Sequence, residues 1–425
     1  QPGQPASLVW IEHGPPHTAD SAPEDKSHLL RLSAPFDKTP ELLARSRSKF
    51  ERAEWLQDDP RVLLTETTGS RQWKRSTTWL ADLRQSPDSW RKIFDYTEGD
   101  LATDPGRPVV ERTSRGERLV RQDGSRIYLN GAAESAEGSQ PFLDRFNLET
   151  GETTRIFRSR PGCYETFLSF TGDSDSDILI SHESRLEPRG VRRLDLTSGR
   201  DTALTLPSNP YPKLNGVERR LVTYPRGDGV NLSGSLYIPA DHKRGERLPL
   251  VIWSYPTEYA DKRIAGQIRP NSNRFMDLGF ANQQQFRLLV TQGYMVLDMA
   301  EMPVVGDSRT RNDTYRAQIV ASAQAAIEHL DSLGLIDPRR VGIGGHSYGG
   351  FSAANQLTSS KLFAAGVATS GSFNRTMDPW GFHAEPRTLW QVPEKYFDVS
   401  PLMRADKITA PLLLIHGEAD DSQSS

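Results

Sequence analysis

The sequence predicts two architectures in series: an all-β propeller, small or part of a larger one, and then an open α/β sheet with helices on it. Three observations predict this. A hairpin phrase recurs four times through the first half, a Pro/Asn/Gly-rich stretch breaks the pattern near residue 210, and strand-like and helix-like segments alternate thereafter. The 425 residues are enough for two or three domains. Lys+Arg 52 against Asp+Glu 55 leaves a formal charge of −3, which excludes the basic footprint of a nucleic-acid binder. No apolar run approaches the roughly 18 residues that a membrane span requires. Cys163 is the only cysteine, so no intrachain disulfide is available as a staple. Gln1 stands where a Met would, with no charged-then-apolar leader behind it, which suggests a removed leader or an internal piece of something longer. The compartment stays open among cytoplasmic, periplasmic and organellar.

Residues 1–212 carry short β-patterned runs such as Ser7 to Glu12, Val62 to Thr67, Arg126 to Asn130 and Asp177 to Ser181, without a helical period. The recurring phrase is an apolar strand, a polar tight turn and a second apolar run. It reads LRLSAPFDKTPELL, WLADLRQSPDSWRKIF, RFNLETGETTRIF and RRLDLTSGRDTALTL, and is aligned on Arg31, Asp82, Asn147 and Asp195. Spacings of about 50 to 65 residues suit four-stranded propeller blades, each needing neighbours to bury its faces. An irregular β-sandwich is the competing reading, disfavoured because sandwiches rarely repeat.

LPSNPYPKLNG (Leu206 to Gly216) marks the boundary, placing one domain at 1–212 and the other at 213–425. Strands are predicted at Arg220 to Tyr224, Leu232 to Ile238, Leu248 to Ser254, Tyr294 to Met299, Val341 to Gly344, Gly366 to Ser370 and Leu412 to His416. The clearest helix runs from Asp313 to Leu333. Ile319, Ala323, Ala326, Ile327 and Leu330 share one face there, and Asn312 or Asp313 is placed to cap the start. Near-continuous apolar strands such as LVIW and LLLI predict a parallel sheet buried on both faces.

The chemistry gathers at Gly345-His346-Ser347-Tyr348-Gly349, between an apolar strand and a small-residue helix. This is the pattern of a nucleophile elbow, in which a sharp turn pushes a serine hydroxyl out of the top of an α/β sheet. Gly345 and Gly349 remove Cβ atoms where strand and helix converge. A serine nucleophile needs a base, and the base a carboxylate to orient it, in the chain order Ser, Asp, His. Asp420 follows the strand PLLLIHG and is the predicted acid, with Asp421 as fallback. None of the nine histidines follows Asp420. His346 reads as structural or substrate-facing, His416 as satisfied locally, and His383 as a loop residue in the wrong chain order for the base. Residues 1–425 alone are therefore expected to show little or no turnover. For the oxyanion, the backbone N–H of Tyr348 and the hydroxyl of Tyr255, in the loop after LPLVIW, are the predicted donors.

GGHSYGGFSAANQL, SGSFNRTMDPWGF, SPLMRADKITAPLLLIHGEAD and NDTYRAQIVASAQAAIEHL resemble phrases of the prolyl oligopeptidase family of serine peptidases, most closely its glutamyl endopeptidase branch. VIWSYPTEY followed by AGQIR is similar to the oxyanion region of that branch, and DPGRP, PFLDRFNLETGE and CYETFLSF resemble its propeller. The resemblance implies a propeller capping an α/β-hydrolase domain and peptides as substrates. It implies the same roles for Ser347, Asp420, Tyr255 and Tyr348. The chain departs from the pattern at DDSQSS, where further residues and a histidine are expected, and in having fewer blades. A pocket for a P1 glutamate needs a guanidinium to hold the carboxylate; Arg375 is the first candidate and Arg387 the second.

The leading expectation is a serine endopeptidase cutting after Glu. A dipeptidyl peptidase or aminopeptidase of the same family is the alternative, although no paired-acid anchor for a substrate amino terminus stands out. A non-catalytic propeller–hydrolase scaffold is the third. No metal-ligand cluster, phosphate loop or haem-attachment motif occurs, so no metal and no cofactor is expected. Peptides are the expected partners, with no nucleic acid and no membrane; a homo-oligomer stays open.

Overall fold

The computed structural model describes residues 6–14, 27–46, 48–58, 60–70, 73–114, 116–133, 135, 138–267, 273–276 and 284–420. They fall into two compact units, residues 1–133 with 141–158, and residues 134–140 with 159–425. The boundary predicted at 212/213 lies within the second unit, where an antiparallel sheet ends and a mainly parallel one begins.

Three antiparallel meanders dominate the first unit. The first joins β1 (Ser7–His13), β2 (Ser27–Ser33) and β3 (Glu41–Ser46); the second joins β4 (Lys49–Trp55), β5 (Arg61–Ser70), β6 (Trp73–Asp82) and β7 (Arg91–Thr97). Short strands β8 (Arg107–Pro108), β9 (Val110–Arg112) and β10 (Arg118–Val120) lead into the third, made of β11 (Gln122–Asp123), β12 (Arg126–Ala133), β13 (Gln140–Asn147) and β14 (Thr153–Arg158), with β8 paired to β12. Strand β5 shows how these sheets are held. Successive side chains on a strand point to opposite faces. Val62 and Leu64 accordingly pack with Leu29, Ala44 and Phe50, while Leu63 packs with Ile127, Leu129 and Phe146. The second sheet is thus buried on both faces by its sequence neighbours.

The second unit opens with a fourth meander, β15 (Cys163–Phe170), β16 (Asp177–Ser184), β17 (Gly190–Asp195) and β18 (Asp201–Ala203). Each copy of the recurring phrase forms the last hairpin of one sheet: β2–β3, β6–β7, β13–β14 and β17–β18. The turn chemistry explains why the phrase recurs. Asn147 Oδ1 accepts from the N–H groups of Glu149 and Thr150, and Asp195 Oδ1 accepts from those of Thr197 and Ser198. Gly151 and Gly199, at φ 77° and 71°, then close the two turns.

The seven-stranded sheet that follows comprises β19 (Glu218–Pro225), β20 (Asn231–Ile238), β21 (Leu248–Tyr259), β22 (Met295–Val305), β23 (Ile336–His346), β24 (Ala365–Thr369) and β25 (Leu412–Ile415). Its order is β19-β20-β22-β21-β23-β24-β25, antiparallel through the β20–β22 pair and parallel from β22 to β25. Helices α1 (Lys262–Ala265), α2 (Tyr315–Ser332), α3 (Tyr348–Ser359) and α4 (Pro393–Val399) accompany it. All seven predicted strands and the predicted helix are present. The five residues assigned to the buried face of α2 are buried. The predicted caps are not caps, because Asn312 and Asp313 lie in a 3-10 turn (Arg311–Thr314) and the helix starts after Thr314.

Two expectations about β strands need correction. LLLI is not buried on both faces: β25 is the edge strand among the described residues, and Leu414 is 56% exposed. Tyr255 is not in a loop either, since β21 continues as strand through Tyr259, paired in register with β22.

Candidate active site

Parallel strands β23, β24 and β25 all point their carboxyl ends to one edge of the sheet, and the candidate residues leave from that edge. Ser347 follows β23 directly, with φ 57° and ψ −119°, a conformation that L residues rarely adopt. Its amide donates to Thr369 O at 2.8 Å, anchoring the turn to β24. The glycines around it are required by contact. A Cβ on Gly345 would lie 2.4 Å from the carbonyl carbon of Gly349, and one on Gly349 would lie 2.4 Å from Ser254 O. A Cβ on Gly350 would meet Thr369 O at 2.6 Å. Strand, turn and helix therefore approach more closely than any side chain permits, and the geometry is that of a nucleophile elbow. No described residue bonds to the Ser347 hydroxyl.

Tyr348 begins α3, so its amide is among the first N–H groups that a helix leaves without an internal partner. Its ring is buried, 6.0 Å from Tyr255 in an edge-on arrangement. Tyr255, 53% exposed, stands on β21 beside Gly349, whose Cβ would come within 3.6 Å of the Tyr255 ring. The structure thus brings together Ser347, Tyr348 and Tyr255. Asp420 lies in the turn after β25, its amide donating to Gly417 O at 3.1 Å. β25 is two strands from β23, roughly 10 Å away at the usual strand spacing, and its end faces the same edge. His416 Nε2 lies 3.6 Å from Asp420 Oδ2. His346 Nδ1 is 3.0 Å from Thr369 Oγ1, a structural link between strands. His383 stacks on the Tyr348 ring with centroids 3.6 Å apart. Asp421 lies outside the described residues, as do Ile268 and Arg269 of the AGQIR stretch.

Behind Tyr348 is a buried charged floor that the sequence reading found only in part. Arg375, 3% exposed, donates from Nη1 to Asp378 Oδ2 at 3.1 Å, and its guanidinium lies over Phe351 at 4.3 Å and Phe382 at 5.1 Å. Nε and Nη2 of Arg375 have no hydrogen-bond partner among the described residues. Glu258, at the end of β21, is 3% exposed and sits against the Tyr348 hydroxyl, with Arg311 and Arg375 as its charged neighbours. Burial pushes the Glu258 carboxyl up, and those neighbours offset only part of the effect. Arg311 is 2% exposed. Tyr315, Tyr348 and Phe351 form the aromatic wall, with centroids 5.5 to 5.8 Å apart. Glu258 and Arg311 were missed because a charged residue in a strand end or a turn ordinarily reads as solvated. No local signal marks either as buried.

Arg387 is differently placed. Its Nε donates to Glu385 Oε1 and its Nη2 to Asp313 Oδ1, both at 2.7 Å, so its charge is already matched by two carboxylates. It reads as a staple between loop and helix start, not as a free anion receptor. Elsewhere the fold brings Cys163, Glu165 and His182 together, ligand atoms within 4.8 Å, a grouping invisible in the sequence. Arg160 donates to both Glu165 oxygens, and His182 reaches Glu165 and Glu187 at 2.8 Å each, so the network is satisfied internally. Among the described residues no helix is long and apolar enough to cross a membrane.

A family model described as the prolyl oligopeptidase family matches residues 310–423. Over its whole length the chain is 33% identical to a "Probable glutamyl endopeptidase, chloroplastic" of Oryza sativa, covering 47% of that protein. It is 32% identical to the protein of the same name in Arabidopsis thaliana, over 98% of the chain and 45% of the relative. The chain therefore spans about half the length of these curated relatives. Among solved structures, a Mycobacterium tuberculosis puromycin-hydrolyzing peptidase superposes with a TM-score of 0.61 at 16% identity, over 97% of this chain and 59% of that one. At that identity the likeness concerns the fold.

Proposed function

Since the chain belongs to the prolyl oligopeptidase family, we propose that it is the propeller-and-hydrolase part of a serine endopeptidase that prefers glutamate at P1. The observation that carries the reading is the Ser347 turn, a strained residue held by glycine contacts at the carboxyl edge of a parallel sheet. In this reading Ser347 Oγ attacks the scissile carbonyl and forms an acyl-enzyme. The Tyr348 N–H and Tyr255 hydroxyl receive the oxyanion, each donor worth on the order of 3 kcal/mol in the transition state. Asp420 orients the imidazole base, which the chain order of this fold class assigns to a histidine after it.

Glutamate preference rests on Arg375, a buried cation with two donors unused, walled by Phe351 and Phe382. A desolvated guanidinium rewards a carboxylate far more than a neutral side chain. The name of the plant relatives points the same way. The test uses the full gene product and blocked peptides that differ only at P1. Cleavage is expected after Glu, with kcat/KM at least about tenfold above Gln, and Arg375→Met should erase that ratio. Equal rates on Glu and Gln peptides would defeat the Glu assignment. Activity confined to peptides with free amino termini would favour a dipeptidyl or aminopeptidase instead.

A further inference from the structure

Arg311 precedes α2 in a 3-10 turn, and Gly306 makes room for its backbone: a Cβ there would come within 3.2 Å of Arg311 Cα. The side chain is buried, yet Nε, Nη1 and Nη2 all lack a hydrogen-bond partner among the described residues. A buried, unpaired guanidinium is among the costliest groups a fold can retain, because a charged donor taken out of water without a partner forfeits its hydration and gains no bond in return. Arg311 is not isolated. Glu258, hydrogen-bonded to the Tyr348 hydroxyl, is a charged neighbour of both Arg311 and Arg375, and Asp307 is a further charged neighbour of Arg311. Unpartnered atoms in this cluster are unequal in kind. Arg311 and Arg375 contribute five donor nitrogens, whereas Glu258 Oε1, Asn312 Oδ1 and the Tyr315 hydroxyl are the groups left over that can accept. The one carboxylate shared by the two guanidinium groups is itself pushed up by burial, so it is a weak counter-ion for both.

We propose that Arg311 is a second receptor for the substrate's P1 carboxylate, acting with Arg375 as a two-guanidinium clamp beneath Tyr348. This rests on the peptidase reading above and extends it. A carboxylate has two oxygens and about four lone-pair sites, enough to use the donors that the protein leaves unmatched. A carboxamide offers one acceptor oxygen and brings two donors that meet only cations, which sharpens discrimination between Glu and Gln. Without substrate, Asp378 pairs with Arg375 and Asp307 lies among the charged neighbours of Arg311, which limits the repulsion between the two guanidinium groups.

The experiment measures kcat/KM on blocked peptides with Glu or Gln at P1, using the full gene product, Arg311→Met and Arg311→Lys. Methionine withdraws the counter-charge of a buried carboxylate, so lysine, which keeps the charge and loses the fork, is read alongside it. The Glu-to-Gln ratio is expected to fall at least about tenfold in either variant, mainly through a higher KM for the Glu peptide. The ratio is internal to each preparation, so a partly unfolded sample does not alter it. An unchanged ratio in either variant, with the unsubstituted protein still preferring Glu, overturns the role of Arg311 and leaves Arg375 as the receptor. No Glu preference in the unsubstituted protein removes the parent reading instead.

Discussion

At the scale of single residues, Ser347 and its glycines set the site. The positive φ of Ser347 is tolerated because the turn is tied to β24 through Thr369 and because Gly345, Gly349 and Gly350 let α3 approach the backbones of β21, β23 and β24. Gly345 and Gly349 have the least room, since an added Cβ on either would meet backbone at 2.4 Å and not a side chain that could swing away. Gly349→Ala is therefore expected to lower kcat/KM at least about 100-fold and to cost about 1–3 kcal/mol of stability, read by steady-state kinetics and thermal melting. The elbow was legible in the sequence because glycine spacing, strand and helix follow one another directly along the chain. Arg375 was legible as a cation of the right type near the right strand. Arg311 and Glu258 were not, because their burial follows from β21, β22 and the turn before α2 converging, and no local pattern encodes that convergence.

At the scale of elements, the hairpin phrase carried its own explanation, since Asn147 and Asp195 cap their turns with side-chain oxygens. The β19–β20 turn is built on a similar principle. Arg226, buried, donates to Asp228, Pro303 O and Ser322 Oγ, tying that turn to β22 and α2. The hydrogen bonds and charge of Arg226 hold the Asp228 carboxyl down to about 2. A carboxyl with a folded pKa below its unfolded value adds stability above the unfolded pKa and loses it as pH falls through the folded one. Asp228→Asn should thus melt earlier than the parent protein near neutral pH, and the gap should close as pH falls from about 4 to about 2. A gap constant with pH would show that Asp228 acts through packing alone. What the elements concealed was exposure. LLLI reads as an interior strand, and nothing in four apolar letters says whether a neighbour lies on the far side of β25.

At the scale of the whole molecule, the order of architectures was legible and the grouping of residues into compact units was less so. The change from antiparallel meanders to a mainly parallel sheet falls between β18 and β19, close to the Pro/Asn/Gly stretch. The fourth meander nevertheless groups with the parallel sheet, which turn chemistry does not reveal. Inside the first unit, opposite faces of β5 bury against different neighbours, so each sheet depends on those beside it, as expected of stacked blades.

The central claim is that Ser347 is an activated nucleophile in the full gene product. Treatment with a fluorophosphonate probe, followed by peptide mapping, tests it most directly. The adduct is expected on Ser347 and nowhere else, blocked by prior incubation with a Glu-terminated peptide and absent in Ser347→Ala, whose peptide cleavage should fall at least about 10⁴-fold. A protein that cleaves peptides while Ser347 stays unlabelled, or one whose Ser347→Ala form keeps its rate, would contradict the account.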